Sequence, residues 1–595
     1  MKNYSYSVQK QGYTFITLLL LSLNFTACNE NQKTEEIPVT VQLQKQFDRD
    51  IRLAATYLDS ISIQPEKSKE FYVTSRMLFK KVEPVLSFMD IDNYGFLNQP
   101  NILKVEEEDK TDIKIKKPSG YQVLEETIYE ENPDLKAIIK HANLTSKRLQ
   151  LVANNLDFNH LKPYHFLWMI RKALVQVALT GITGFDSPVL ENSLKEAQVV
   201  YQSLNNYLKL TQNNFKKVNL YQEWLKEIEA TLLFLETDFN TFDRYTFIKY
   251  HVHNQLDIWN RTVTDWGVKF PVTLALQNDA TSLFSEHTFN IEFFAEKHTG
   301  TSTPEKIELG KKLFYDANLS TSKEISCATC HQPELAFTDG LKISKGVTRN
   351  SPTLLYAGLQ QAFFYDKRAG SLEGQIISVV KNAKEFHTDL QTLEETVKRD
   401  TTYQQLYKTT YPSEPVDQKN LRIAIASYIR SLAPFNSKLD RNIRSEENSL
   451  TANEINGFNL FHGKAKCATC HFPPLYNGTV PPNYKESEIE LIGVPGQNDT
   501  LKAIISPDLG RYYVYETPER KHFFKTPTVR NIKKTAPYMH NGVYQNLKDV
   551  ITFYNKGGGS GIGIEEKYQT LPPDPLGLSK KEQNDLILFM KTLTD

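Results

Sequence analysis

The same five residues, Cys-Ala-Thr-Cys-His, occur twice in this chain, at 327–331 and 467–471. Two thiols three residues apart reach the two vinyl groups of a haem, and the histidine beside them reaches its iron. Each copy therefore reads as a covalent haem c attachment site. Cys327, Cys330 and His331 hold one haem; Cys467, Cys470 and His471 hold the other. A thioredoxin-like redox pair uses Cys-x-x-Cys but neither the histidine nor a second copy. A zinc site built from both pairs has 136 residues between Cys330 and Cys467, far outside usual zinc-ligand spacings.

The repeat extends beyond the pentapeptides. "ELGKKLFYD" (308–316) precedes the first and "INGFNLFHG" (455–463) the second, both with Gly-x-x-Leu-Phe. Pro304 falls at a first-turn position of the first helix. Thr451 and Glu454 form a capping box for the second, and Ser579 and Glu582 form another for the last helix. Helix, cysteine motif, long loops and helix predict two cytochrome c-like domains, at 300–445 and 446–595.

The rest of the chain has a different texture. At 595 residues it exceeds a single core, and two to four domains are expected. Residues 38–285 contain no cysteine and carry apolar residues at three- and four-residue spacing, as in "QEWLKEIEATLLFLETDF" (222–239), so they read as packed helices. The polar insert 104–120 reads as an exposed loop. The expected fold is mainly α: an N-terminal helical bundle followed by two tandem cytochrome c-like haem domains. Lys+Arg and Asp+Glu both number 70, so no global field attracts nucleic acid.

Residues 1–27 have the form of an export signal, with Lys2 and Lys10 before the apolar run 15–23, too short to span a bilayer. "FTAC" (25–28) is similar to a bacterial lipobox, which makes Cys28 the lipidated first residue and 28–37 a tether; otherwise the segment is an ordinary secretion signal with an incidental cysteine. Four of the five cysteines belong to the pentapeptides, and Cys28 is the one left over. The expectation is an outer-membrane-anchored, periplasm-facing lipoprotein.

From about 300 to 595 the chain resembles the bacterial di-haem cytochrome c peroxidase and MauG family. The segments that carry the resemblance are "LGKKLFYDANLSTSKEISCATCHQPELAFTDG", "TRNSPTLLYAG", "FFYDKRAGSLEGQ", "FKTPTVRNIKKTAPYMHNG" and "LKDVITFYNKGG". It implies a first haem that meets hydrogen peroxide and a second haem with two protein ligands that relays electrons. It also implies that Gln375 and Glu385 line the peroxide pocket, where a carboxylate moves a proton between the two peroxide oxygens. By residue type alone Glu385, beside Lys384, is a solvated loop residue. A calcium ion between the haems is implied at Asn350 and the carbonyls of Thr535 and Pro537, oxygen donors that suit a hard cation. Otherwise Asn350 holds a turn before Pro352.

Three departures from the family pattern bear on function. No histidine occurs from Gln332 to Phe386, where such peroxidases carry one that caps the first haem, so that haem is expected to be open. Tyr365 stands where many members have a tryptophan between the haems, either as a hole carrier or as a packing aromatic. At the distal position of the second haem, Tyr554 stands where ordinary peroxidases have methionine and MauG has tyrosine. A phenolate favours oxidised iron, which suits storing oxidising equivalents. Met539 is the rival ligand, and His540 beside it reads as structural.

The N-terminal half resembles imelysin-type helical domains through "SRMLFKKVEP" (75–84) and "PSGYQVLEE" (118–126). Their Gly-x-His-x-x-Glu pattern appears as Gly120, Gln122 and Glu125, with glutamine for histidine. Losing the imidazole removes the best transition-metal ligand of the motif, so a docking or scaffolding role is expected.

Three functional readings follow. The first is reduction of hydrogen peroxide with electrons from a small cytochrome or other periplasmic donor. The second is MauG-like oxidation of a protein or organic substrate. The third is a non-catalytic role in electron transfer or iron handling.

Overall fold

The Gly-x-x-Leu-Phe repeat finds its reason at two helix crossings. The computed structural model describes residues 37–499 and 501–595; the leader, most of the tether and Cys28 lie outside them. Helix Pro304–Tyr315, with Thr303 as N-cap and Pro304 opening its first turn, buries Leu309, Gly310, Leu313 and Phe314 against helix Gln418–Arg430. A Cβ on Gly310 would overlap the carbonyl of Ala424. Helix Ala452–Phe461, held by the Thr451–Glu454 capping box, crosses helix Lys580–Lys591 in the same way. There a Cβ on Gly457 would overlap the carbonyl of Asp585. Glycine is the residue that lets two helix backbones approach this closely.

Strand structure among the described residues is confined to two two-stranded antiparallel pairs and isolated bridges; the architecture is mainly α. The first cysteine motif forms a single helical turn, Cys327–Cys330, capped by Ser326. The second forms a 3-10 turn, Cys467–Thr469.

A buried ion pair ties the two haem-binding segments together. Arg530 and Asp440 are fully buried and paired at 2.8 Å. Arg530 also donates to the Pro474 carbonyl and to the Tyr356 hydroxyl, which itself donates to Asp595. A buried pair this fully hydrogen-bonded costs little while intact and much when one partner is removed.

In the N-terminal half, helix Val39–Ser60 packs on Ser68–Met89 and Leu135–Asn155, and Ser68–Met89 packs on Ser193–Leu210. The reason is spacing: Leu43, Phe47, Ile51, Ala54, Ala55 and Leu58 form one buried stripe. Helix Pro163–Thr183 is long and apolar enough to cross a membrane, but 89% of that stretch is buried inside the protein, as a core helix would be. The bundle interior also holds a charged cluster. Lys80 lies at 3.0 Å from Glu83, 2.6 Å from Asp186 and 3.2 Å from Glu196, and Arg76 pairs with Glu196 at 2.8 Å. The space beside the cluster is about 10 Å³, room for a water and nothing larger.

The insert 104–120 differs from the exposed loop expected of it. It contains a β-hairpin, Lys104–Glu107 paired with Ile113–Lys116, in which Val105 faces Ile115. Val105, Ile113 and Ile115 alternate with polar residues, a period-2 pattern. Asp109 closes the turn by accepting from the amides of Thr111 and Asp112. One face of the hairpin is docked: Val105 is buried and Glu107 pairs with Arg511.

Residues 39–595 form one compact unit. Within it the N-terminal half touches the second cysteine segment directly. Phe185 packs edge-on against Phe472, the residue after His471, and Tyr245 against Phe458. Arg244 lies on Gly463, where a Cβ would collide with its guanidinium.

Candidate active site

Each pentapeptide histidine has one ring nitrogen committed to a backbone carbonyl. His331 Nδ1 lies 2.9 Å from the Phe337 carbonyl, and His471 Nδ1 lies 3.0 Å from the Pro527 carbonyl. A carbonyl only accepts, so Nδ1 carries the proton and Nε2 keeps its lone pair. Neutral imidazole is reinforced by burial, which lowers both histidines from their ordinary pKa. The four cysteines of the motifs are half-buried. These residues fit two covalently held haems with histidine on one side of each iron.

The two attachment sites face different groups. At the first, Glu385 and Asp339 lie near Cys330, and Glu385 also lies near Cys327. Glu385 sits in the turn after helix Leu372–Lys381, its amide bonded to the Asn382 carbonyl. Burial raises its carboxyl above the ordinary carboxylate range, against the opposing pull of Arg368. Gln375 lies on the same helix, which Ser371 caps and a buried Glu373–Arg430 pair at 2.6 Å pins in place. His387, the first histidine after the stretch that lacks one, is exposed and bonds the Ala383 carbonyl of its own turn.

At the second site, Tyr554 lies on helix Leu547–Asn555. Burial, with Cys470, Cys467 and Glu490 nearby, pushes its phenol well above the ordinary range. Met539 is half-buried in a loop, in the left-handed region at φ 74°. His540 bonds Ser506 Oγ at 3.0 Å and stacks on Phe524 at 3.8 Å, with burial lowering its pKa to about 3.

Tyr365 donates to Asn350 Oδ1 at 3.3 Å, and Asn350 Nδ2 donates to the Leu341 carbonyl. The Asn350 amide donates to the His540 carbonyl at 2.9 Å, which brings Asn350 to the loop that carries Thr535 and Pro537. No group of three or more His, Cys, Asp or Glu that could hold a metal occurs among the described residues.

In the N-terminal half Glu125 is spent on structure. It accepts from Tyr72 Oη at 2.7 Å, from Ser187 Oγ and from the amides of Val189 and Leu190 at 3.0 Å. Gln122 donates to the Asn98 carbonyl. Gly120 has φ 101°, and a Cβ there would strike the Phe96 and Leu97 carbonyls.

Sequence reasoning missed several contributors. The carbonyl of Phe337, six residues beyond His331, has the weak signal of proximity; Pro527 has none. Glu490, beside Cys470 and Tyr554 and raised to about 7 chiefly by burial, carries no motif either.

Two haem c sites in tandem, each on its own pair of crossing helices, define a di-haem c protein. A family model described as di-haem cytochrome c peroxidase matches residues 304–448. The cytochrome-c peroxidase IdrP1 of Pseudomonas sp. (strain SCT) is 34% identical over 311 residues, covering 49% of this chain and 81% of that protein. The methylamine utilization protein MauG of Methylorubrum extorquens is 32% identical over 299 residues, covering 49% and 78%. A crystal structure of a MauG-like protein associated with microbial copper homeostasis is 28% identical, covering 51% of this chain and 92% of that one, with a TM-score of 0.46. The chain belongs to the di-haem cytochrome c peroxidase family.

Proposed function

We propose that this protein reduces hydrogen peroxide at the haem held by Cys327, Cys330 and His331, with electrons entering through the second haem from a small cytochrome or another periplasmic donor. The observation that carries this reading is Glu385, half-buried, raised in pKa and lying near the first cysteine pair. The haem supplies the iron that binds peroxide and the electrons that reduce it. Glu385 takes a proton from one peroxide oxygen and delivers it to the other, and Gln375 on the preceding helix orients the molecule. The stretch Gln332–Phe386, free of histidine, keeps this pocket open. Steady turnover of peroxide with reduced cytochrome c tests the proposal; a haem-loaded protein that shows none ends it.

Tyr554 favours a second reading, MauG-like oxidation of a protein or organic substrate. Its phenol lies by Cys467 and Cys470, and a phenolate ligand stabilises oxidised iron. A persistent oxidised absorption spectrum after peroxide addition, quenched by an added substrate and not by reduced cytochrome c, supports it over the first. Asn350, Thr535 and Pro537 are the calcium site in either case. Cys28 anchors the chain to the outer membrane, facing the periplasm, and the N-terminal half serves as a scaffold.

A further inference from the structure

The N-terminal half reaches the contact between the two haem segments at Arg511. Arg511 is buried and belongs to the second haem segment. Its Nε donates to Glu107 of the hairpin at 2.8 Å, and its Nη1 donates to the carbonyls of Asp366 at 3.1 Å and Lys367 at 2.7 Å. Glu107 and Arg511 are 4% and 10% exposed at their side chains, so solvent screens the pair little. Arg520, beside them, donates to the Val105 carbonyl at 3.1 Å.

The two carbonyls that Arg511 holds directly follow Tyr365. The Tyr365 carbonyl itself accepts from the Lys525 amide at 2.6 Å. Arg349, next to Asn350, pairs with Asp366 and Asp508 at 2.6 Å each, so this segment is knotted from three sides. Arg349 and Lys525 belong to the haem-binding half. Glu107 brings the N-terminal half into the knot, by orienting the guanidinium that grips the backbone.

We infer that the hairpin, through Glu107 and Arg511, sets the position of the Tyr365–Lys367 segment between the two haems. Arg511 is thus a positioning residue for inter-haem electron transfer, and the N-terminal half is a clamp on that junction. A planar guanidinium suits this role, because one edge takes the carboxylate while another N–H reaches two carbonyls in a fixed geometry. The inference rests on the proposed two-haem relay for its consequence, but not for its geometry.

The test uses the full-length, haem-loaded protein. In Glu107→Gln, amide hydrogen exchange across 365–368 is expected to rise about tenfold, as local opening becomes easier. Electron redistribution between the haems, followed after CO photolysis of half-reduced protein, is expected to slow about threefold or more, because transfer depends on geometry held to a fraction of an ångström. Arg511→Lys, which keeps the charge and loses the fork, should move both readouts the same way. Lys110→Ala removes the exposed Lys110–Glu516 pair of the same hairpin and should leave both unchanged. Unchanged exchange at 365–368 in Glu107→Gln overturns the inference, and so does an equal effect of Lys110→Ala. A wild-type protein inert to peroxide would sink the proposed function while leaving the exchange result to judge the clamp.

Discussion

Tyr365 donates its phenolic proton to Asn350 Oδ1 at 3.3 Å, so the aromatic residue and the amide proposed for calcium are hydrogen-bonded partners. A neutral amide oxygen does not take up a proton. Burial also raises the Tyr365 phenol, so losing its proton on oxidation is costly here. Under the proposed two-haem relay, Tyr365 in this setting is expected not to rest as a long-lived radical. Tyr365→Phe should therefore slow inter-haem transfer by less than about tenfold, and peroxide-treated wild type should show no persistent tyrosyl signal in electron paramagnetic resonance.

Glu385→Gln should lower the rate of the peroxide reaction by about 10²–10⁴-fold, the usual worth of a positioned acid–base group. The wild-type rate should also fall at acid pH. The carboxylate is the form that takes the first proton, and burial raises its pKa, so activity is lost as pH falls through that raised value. The acid limb should lie above the range of an ordinary glutamate, about 4.3. Stopped-flow rates against pH for both proteins check limb and plateau together.

Replacing Tyr554 by phenylalanine should change the ligand-field signature of the second haem and leave covalent haem attachment intact. Magnetic circular dichroism of the ferric protein reads this directly. An unchanged second-haem spectrum would return the ligand role to Met539, whose left-handed backbone and half-burial place it in a fixed loop.

Asp440→Asn leaves Arg530 buried beside a neutral partner. Its expected cost is about 3–5 kcal/mol of stability, the loss seen when one member of a buried pair is removed. The Arg530–Asp440 pair joins segments from both sides of the junction, so thermal unfolding of the haem-loaded variant should shift both haem signals together.

Gln122→His introduces the histidine of the imelysin-type pattern that the N-terminal half resembles, yet the metal content should stay unchanged. Glu125 already accepts from Tyr72, Ser187 and two backbone amides, so little of its carboxylate is left for a cation. Elemental analysis of the variant against wild type checks this.

How much of this was legible in the chain differs from residue to residue. The helix ends were: Pro304 opens its helix and Thr451 and Ser579 cap theirs, because capping is decided within a turn. The Gly-x-x-Leu-Phe repeat was visible, but its reason was not. That Gly310 meets Ala424 and Gly457 meets Asp585 depends on helices more than a hundred residues away. The insert 104–120 was read as a loop because its charges outnumber its three alternating apolar residues. Docking against Arg511 and Arg520 made it a hairpin.

By itself the sequence determined the cofactor chemistry. Two thiols and an imidazole at fixed spacing work locally, and no distant residue is needed to recognise them. The tertiary structure alone decided what surrounds each haem site: the Pro527 carbonyl that sets the His471 tautomer from 56 residues away, Glu385 brought near the first cysteine pair, and Glu490 and Tyr554 gathered at the second. It also decided that a hairpin from the N-terminal half grips the junction between them. Proton positions, dielectric and reach are set by neighbours in space, and folding brings those neighbours from every part of the chain.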